Sequence, residues 1–325
     1  MKNYQKALIA FLGGLIAAAA AAALVGCGDR SSSKSESGGS GKSSATSDEA
    51  DVHGDLSELG IDPASIDVFP QVKHDSKNEA GFQLEPPKDG DTIAVIHTSA
   101  GDVTLRLFPD QAPKAVTNFI NLAESGSYNN TTFHYVVRDT LIQGGHCGSD
   151  PASPNGVRSF GGMFEDEFCD SLLNLRGAVS MANSGKDSNG SRFFINLTTA
   201  DTFRKNGGWK AFDDLWEDTK SKLSDYKGSN LLSAYVDVNG DKFINTGSIP
   251  QSVKELYEKY GGNPAFDGAY NAADRGNTVF AQVISGIETA DSIASAETDD
   301  KNVPKKNIVI KSIEIKTYSA AQPTT

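Results

Sequence analysis

SMANSGKDSNGSRFFI, residues 180–195, joins two apolar strand ends through a loop of small and turn-forming residues. Asparagine and glycine recur in this loop, and both tolerate positive φ angles, so the backbone can turn tightly and approach a ligand closely. After the loop, Phe193 and Phe194 are adjacent in a strand, which predicts that their rings face opposite sides of the sheet. The turn residues alone predict an ordinary hairpin, but the complete string is a more specific signature than a hairpin requires.

Length, composition and charge describe a chain of ordinary globular character. Its 325 residues suffice for one large domain with tails or for two domains. The hydrophobic share of 38% and the charged share of 22% are typical of soluble globular proteins. The net charge of −12 argues against nucleic acid or an anionic membrane surface as the main partner.

The N-terminus has the pattern of a secretory signal peptide over residues 1–26, with lysines before a continuous apolar run. The run ends in LVGC, which resembles the lipobox of bacterial lipoproteins, so we expect Cys27 to carry a lipid. An uncleaved signal anchor is the alternative, because the run is long enough to span a bilayer. Both alternatives hold the chain outside the cytoplasm at the cell membrane, and the Ser/Gly-rich residues 27–50 form a flexible tether.

The pattern of apolar residues predicts one domain over residues 92–318, preceded by a weakly structured arm (residues 51–91) and followed by a tail (residues 319–325). Many short strands are separated by turn signals, and two amphipathic helices cover residues 113–124 and 287–294. This combination predicts a mainly β fold, a closed antiparallel barrel capped by two helices.

Residues 198–262 interrupt the domain, and we call them the inserted segment. Their apolar spacing predicts helices over residues 209–223 and 253–260, so the insertion is partly helical. In the closing strand, residues 308–318, the apolar residues change parity. That change predicts a β-bulge near Lys311 and Ser312.

Over roughly residues 92–316 the domain resembles the cyclophilin-type peptidyl-prolyl isomerases. The strings that carry the resemblance, in the family order, are LRLFPDQAPKAVTNF, FHYVVRDTLIQGG, FEDEF, SMANSG, NGSRFFI, FDG and NTVFAQV. The resemblance implies an eight-stranded closed barrel with a helix over each end. It also implies cis/trans isomerisation of X-Pro bonds in proline-containing polypeptides, without a cofactor.

The chemistry of such an enzyme requires no nucleophile and no metal. Partial double-bond character gives the amide a rotation barrier of about 18–20 kcal/mol. An enzyme lowers this barrier by binding the twisted amide more tightly than either planar form. It therefore needs an apolar pocket for the proline ring, groups that hold the flanking backbone, and a donor aimed at the prolyl nitrogen.

The resemblance implies a peptide groove built from these strings. Phe194 matches the pocket floor, and Leu141 and Phe266 match further apolar walls. Spacing alone predicts instead that Phe194 and Leu141 belong to the barrel core. His134 matches a histidine beside the site. The positions that hold the peptide in the family match Gln143, Ala182, Asn183 and Ser184.

Several positions depart from the family pattern. Tyr135 occupies the position of the catalytic arginine, and Arg192 replaces a glutamine that neighbours this arginine. Thr140 replaces an aromatic residue of the proline pocket. Asn277 stands where many members have a histidine, and Ala265 is smaller than the tryptophan of some members.

These departures leave two hypotheses of different classes. In the first, Arg192 takes over the electrostatic role of the family's catalytic arginine at reduced efficiency. The glutamine that Arg192 replaces lies beside that arginine in the family, so the two side chains can reach the same region. Tyr135 adds an O–H donor. The protein is then a monomeric isomerase for exported client proteins. In the second, the groove is a non-catalytic, surface-tethered module that binds peptides or proteins.

Two weaker patterns remain open. Asp237, Asn239, Asp241 and Asn245 have the spacing of a calcium loop, which would support a calcium-dependent assembly module. Lys242 occupies the loop position that needs glycine, however, and the Asn239-Gly240 pair predicts a simple hairpin, which the sequence favours over a metal site. Among the cysteines, Cys147 and Cys169 allow either one disulfide or two buried thiols.

Overall fold

A computed structural model describes residues 72–148, 162–226, 239, 242–273 and 275–320. The predicted signal peptide, Cys27, the tether and the first part of the arm lie outside these ranges, so the predictions for them stay untested. Within the described part of the chain, no helix is both long enough and apolar enough to cross a bilayer.

Eleven strands and five α-helices are present in the described part of the chain. The strands are β1 Val72–Lys73, β2 Thr92–Thr98, β3 Gly101–Leu107, β4 Thr131–Thr132, β5 Tyr135–Val137, β6 Leu141–Gly144, β7 Phe168–Cys169, β8 Ala178–Met181, β9 Phe193–Asn196, β10 Val279–Ser285 and β11 Val309–Thr317. The helices are α1 Pro113–Glu124, α2 Ala200–Lys205, α3 Gly208–Tyr226, α4 Gln251–Tyr260 and α5 Ile287–Ala294.

One antiparallel sheet of nine strands forms the body of the domain, in the order β4-β11-β2-β3-β10-β8-β9-β6-β5. The sheet is strongly curled: β6 and β11 lie near opposite ends of the strand order, yet their residues approach each other across the interior. A Cβ added to Gly144 would lie 2.9 Å from Phe133 Cδ1 and 3.2 Å from Ile310 Cδ1. The mainly β, antiparallel architecture is therefore confirmed.

The closed eight-stranded barrel is not confirmed. The sheet has nine strands because the short β4 adds to β11, where Thr131 and Thr132 pair with Ile310 and Val309. β4 and β5 are the two ends of the strand order. In β11 the pairing with β2 shifts between Ile310 and Ser312, which confirms the predicted bulge.

Two helices pack on the sheet as the sequence predicts. Pro113 begins α1, a position where its missing N–H leaves no intrahelical bond unmade. Ala115, Val116, Phe119 and Leu122 form the buried face of α1 in the main core. α1 contacts β10 and β11, whereas α5 contacts β3, β5 and β6. Phe193 reaches the same core, and its ring meets that of Phe119 edge-on at 5.6 Å.

The described part of the arm, residues 72–91, is more ordered than the sequence predicts. β1 pairs in parallel with β7, and residues Phe82–Leu84 form a 3₁₀ turn. Gln83 is fully buried: its amide nitrogen donates to Leu173 O and Gln282 Oε1, and its oxygen accepts from Leu173 N. These partners lie far away in the sequence, so the local composition could not reveal them.

The inserted segment folds against the nine-stranded domain and forms a second core. The predicted helices over residues 209–223 and 253–260 are confirmed as α3 and α4, and α2 precedes them. Phe203, Phe212 and Tyr257 pack there with Leu173 and Leu175, which precede β8 of the barrel. The insertion is thus anchored by a shared apolar core.

Cys147 and Cys169 do not form a disulfide. Both thiols are free and buried. Cys147 belongs to the main core, whereas Cys169 belongs to a smaller cluster with Phe108 and Leu172. Of the predicted disulfide and the predicted pair of buried thiols, the structure shows the thiols.

Candidate functional site

Strands β5, β6, β9 and β8 place the predicted site residues in one row. Tyr135 pairs with Gln143, Gln143 with Phe194, and Phe194 with Ser180. Directly paired residues in antiparallel strands project to the same face, with Cβ atoms about 4.5–5.5 Å apart. Phe193 lies on the opposite face, in the main core, as its alternation with Phe194 predicts.

An apolar cluster lies on this face and is separate from the main core. Its members are Tyr135, Leu141, Ala182, Phe194 and Phe266, with Val137 packed against them. The rings of Phe194 and Phe266 meet edge-on with centroids 5.1 Å apart. Phe194 and Leu141 therefore belong to this cluster, which we call the groove cluster, and not to the main core. Their role in substrate binding stays a prediction.

Phe266 is held at the edge of the groove cluster by its backbone. It ends a 3₁₀ turn, Pro264–Phe266, which is capped by the Asn263 side chain. Its carbonyl oxygen accepts from Asn277 N and from Asn174 Nδ2, both at 2.9 Å. Asn277 Nδ2 donates in turn to Met181 O at 2.9 Å. Asn277 thus joins the Phe266 wall to the end of β8.

The loop after β8 is fixed by the partly buried carboxylate of Asp166. Asn183 Nδ2 lies 3.2 Å and Asn189 Nδ2 2.8 Å from Asp166 Oδ1, and the Asp187 amide donates to Asp166 Oδ2 at 2.8 Å. Burial raises the pKa of Asp166 to about 6, although these donors act in the opposite direction. Asp166 therefore organises the loop that contains the predicted peptide-holding positions.

The other members of that loop make local contacts. Ala182 N donates to Arg192 O at 2.9 Å, which closes the loop at its base. Ser184 is exposed, and its amide donates to Ser188 Oγ at 2.9 Å. The backbone near Ala182 and Asn183 thus lies beside the groove cluster, where an extended peptide could bind.

A polar group borders the groove cluster and consists of His134, Gln143 and Arg192. The Gln143 amide nitrogen lies 3.1 Å from His134 Nε2, and His134 N donates to Gln143 O at 3.0 Å. Burial, assisted by the charge of Arg192, lowers the pKa of His134 to about 4, so the imidazole is neutral at physiological pH. Burial also lowers the pKa of the Arg192 guanidinium.

Tyr135 contributes its ring to the groove cluster and directs its hydroxyl toward another loop. Asn302 Nδ2 lies 3.5 Å from Tyr135 Oη, and Asn302 O accepts from Val136 N at 2.8 Å. Burial raises the pKa of Tyr135. Its O–H is therefore a neutral group near Asn302.

Thr140 is buried in the turn between β5 and β6. Its hydroxyl donates to Arg138 O at 3.3 Å, and its carbonyl oxygen accepts from Leu197 N at 2.6 Å. These bonds tie Thr140 to its own turn and to the end of β9. The predicted role of Thr140 in the proline pocket stays a prediction.

Comparison with known proteins identifies the family. The model of the family "Cyclophilin type peptidyl-prolyl cis-trans isomerase/CLD" matches residues 93–215 and 259–315, together more than half of the chain. The chain belongs to the cyclophilin-type peptidyl-prolyl cis-trans isomerases. The unmatched residues between these two ranges fall within the inserted segment.

Two proteins similar to this cyclophilin come from bacteria and are assigned as isomerases. A Staphylococcus aureus protein assigned as a peptidyl-prolyl cis-trans isomerase is 35% identical over 230 residues, covering 70% of this chain and 93% of that protein. A Streptococcus pyogenes protein assigned as a bifunctional phosphatase/peptidyl-prolyl cis-trans isomerase is 34% identical, over 80% of this chain and 43% of that protein. A Cryptosporidium parvum cyclophilin structure covers 70% of this chain and 99% of its own, with 26% identity and a TM-score of 0.44.

The residues available for metal binding do not form a centre in the described structure. No group of three or more His, Cys, Asp or Glu side chains converges there. Asp237 and Asp241 lie outside the described residues, so the hairpin and the calcium loop both stay untested. Of the remaining two residues, Asn239 Oδ1 accepts from Lys242 Nζ at 2.9 Å and Asn245 Oδ1 from Gly247 N at 3.1 Å.

Sequence reasoning missed three polar residues that bond to the predicted site residues Asn183, Phe266 and Tyr135: Asp166, Asn174 and Asn302. Asp166 lies in the FEDEF string, which was used only to identify the family. A carboxylate between two phenylalanines could have suggested a buried role, but its asparagine partners are distant in sequence. For Asn174 and Asn302 the sequence offers no signal.

Proposed function

We propose that this cyclophilin binds proline-containing segments of exported proteins in the groove cluster and catalyses X-Pro isomerisation with Arg192 as the electrostatic donor. The observation that carries the proposal is the position of Arg192. Arg192 lies two residues before Phe194, and its carbonyl oxygen accepts from the amide of Ala182, which is also a member of the groove cluster.

The physical role of each group follows from the reaction. The contact with the proline ring is assigned to Phe194, Phe266 and Leu141, whose side chains are almost fully buried in the groove cluster. Gln143 and the backbone near Asn183 offer donors and acceptors for the flanking peptide groups. As the amide twists, the prolyl nitrogen loses conjugation and becomes a better acceptor. A positively charged donor in a partly desolvated site stabilises that state more than the planar one.

Neutral His134 supports this role of Arg192. With a pKa of about 4, the imidazole carries no charge at physiological pH, so His134 adds no positive charge near Arg192. Gln143 holds the imidazole in place from the adjacent strand. The role assigned to Arg192 requires that its guanidinium donate to the prolyl nitrogen of a bound substrate.

An isomerisation assay on a proline-containing peptide tests the proposal. The full chain is compared with Phe194→Leu, which shortens the groove floor, and with Phe212→Leu, a matched change in the core of the inserted segment. We expect at least about a tenfold loss of kcat/KM for Phe194→Leu and less than a twofold loss for Phe212→Leu. Equal losses in both variants, with both folded, would contradict the assignment of the groove.

A second candidate function is favoured by Tyr135. In this alternative the groove binds proline-containing segments without accelerating their isomerisation, because the hydroxyl of Tyr135 lies near Asn302 and the family's arginine is missing. Calorimetry with the same peptide separates the two functions. Micromolar binding with an unaccelerated isomerisation rate would establish the binding module and refute the enzyme.

The proposal includes an extracytoplasmic location, with a lipid on Cys27 as the anchor and a monomeric state. It is supported by the signal-like residues 1–26 and the Ser/Gly-rich tether. Metabolic labelling with a tagged fatty acid tests it, with Cys27→Ser as the control. Label in both proteins, or in neither, would refute lipidation at Cys27.

A further inference from the structure

A buried hydrogen-bond network joins the inserted segment to the wall of the groove. Tyr257, on α4 of the inserted segment, donates its hydroxyl proton to Asp267 Oδ2. Asp267 directly follows Phe266, whose ring packs on Phe194. Tyr257 and Asp267 are both buried, so solvent does not replace this bond.

Asn174 completes the network from the barrel side. Its backbone amide and its side-chain amide donate to Asp267 Oδ1 at 2.6 Å and 3.1 Å. The same side-chain amide donates to Phe266 O at 2.9 Å, and Asn174 Oδ1 accepts from Ser180 Oγ at 2.7 Å. One asparagine therefore holds both the carbonyl of the groove wall and the carboxyl group behind it.

The packing around the network leaves little freedom. Gly262 lies between Asn174 and Tyr257, and a Cβ there would be 2.4 Å from Asn174 O and 2.9 Å from Tyr257 Cε1. The ring of Tyr257 also meets Trp209 edge-on at 5.6 Å. A shift of α4 would therefore move Tyr257 and, through their hydrogen bond, Asp267.

The hydroxyl of Tyr257 has a function that packing alone does not explain. A phenylalanine would fill the same apolar space, whereas a buried carboxyl oxygen without a donor is strongly unfavourable. Burial raises the pKa of Asp267 to about 7, which shows how poorly this site solvates a charge. Without the Tyr257 hydroxyl, we expect Asp267 to shift toward another partner and to move Phe266 with it.

We propose that Tyr257 is a positioning residue for the groove, and that the inserted segment holds the Phe266 wall through the Tyr257–Asp267 hydrogen bond. This inference rests on the proposed function, since Phe266 is assigned to the proline pocket. A wall contacts planar and twisted substrate alike, so its displacement weakens binding of both. Displacement of the Phe266 wall should therefore raise KM and leave kcat nearly unchanged.

Steady-state kinetics of Tyr257→Phe in the full chain test the inference against two controls. Tyr260→Phe removes a hydroxyl from the exposed end of the same helix. Val253→Ala loosens the buried face of that helix without touching the network. We expect Tyr257→Phe to raise KM roughly fivefold, with kcat within twofold and both controls near wild type in KM. An unchanged KM in Tyr257→Phe, or an equal rise in Val253→Ala, would overturn the inference.

A crystal structure of Tyr257→Phe gives a test that does not depend on activity. We expect the Phe266 ring to leave its edge-on contact with Phe194, so that the centroid distance departs from 5.1 Å. An unmoved Phe266 ring would overturn the inference even if the protein is an active isomerase. A wild-type protein that neither binds nor isomerises proline peptides would instead refute the proposed function, and the Phe266 position would still decide the structural claim.

Discussion

The guanidinium of Arg192 lies close enough to the imidazole of His134 for its charge to act on it. After burial, this charge is the next cause of the fall in the pKa of His134 to about 4. His134 precedes β5 and Arg192 precedes β9, and these two strands flank β6 in the sheet. Arg192 therefore lies within electrostatic range of His134, the residue before Tyr135, which occupies the position of the family's arginine.

Restoring that arginine tests whether Arg192 is an incomplete substitute. Tyr135→Arg adds a second guanidinium on the face shared with Gln143 and Phe194. We expect kcat/KM for a proline peptide to rise about tenfold, because a well-placed donor is worth at least that much in a desolvated site. Tyr135→Phe, which removes only the hydroxyl, should stay within twofold of wild type. If Tyr135→Phe loses most of the activity, the tyrosine hydroxyl is the donor.

Substrate binding should depend on the protonation of Asp166. As pH falls through about 6, Asp166 gains a proton and becomes a weaker acceptor for Asn183 and Asn189, so KM should rise. The raised pKa of Asp166 also affects the free energy of unfolding, but there low pH is favourable. Because the folded state binds this proton more tightly, its contribution to stability is present below pH 4 and declines as pH rises to about 6.

The matched variants for this dependence are Asp166→Asn and Glu165→Gln. KM of Asp166→Asn should be raised at pH 8 and insensitive to pH between 5 and 8. Glu165 is exposed and pairs with Lys114, so Glu165→Gln should keep the wild-type profile. If KM of Asp166→Asn still changes near pH 6, a group other than Asp166 is responsible for the pH dependence.

The free energy of unfolding should depend on pH because His134 is buried and neutral in the folded state. Its pKa of about 4 in the folded state lies below the ordinary value of 6.5, so the unfolded state binds the proton more readily. This contribution to stability is complete above pH 6.5 and is lost as pH falls toward 4. Denaturant unfolding at several pH values should therefore show a steeper acid loss for wild type than for His134→Gln. Parallel curves would mean that His134 is not neutralised by folding.

Local patterns predicted the parts of the fold that depend on neighbouring residues. The alternation of Phe193 and Phe194, the bulge in β11 and the helix beginning at Pro113 all follow from the short-range geometry of strands and helices. Phe194, Leu141 and Phe266 were assigned to a groove because they lie in strings that resemble a family, and they share one apolar cluster. Periodicity alone assigned two of them to the barrel core.

The remaining features depend on contacts between residues far apart in the sequence. Gln83 is buried against Leu173 and Gln282, and Tyr257 bonds to Asp267 from the inserted segment. A polar residue in a loop looks solvent-exposed until its partners are known. For the same reason, the sequence left the pairing of Cys147 and Cys169 open.

The most direct test of the account is the isomerisation rate of a proline-containing peptide, measured by exchange NMR with wild type and Arg192→Ala. Arg204→Ala, an exposed arginine on α2, serves as the control. We expect catalysis by wild type, a fall in kcat of roughly 10²-fold in Arg192→Ala with KM within threefold, and no change in Arg204→Ala. Equal rates in wild type and Arg192→Ala, or no rate above the uncatalysed exchange, would contradict the role assigned to Arg192.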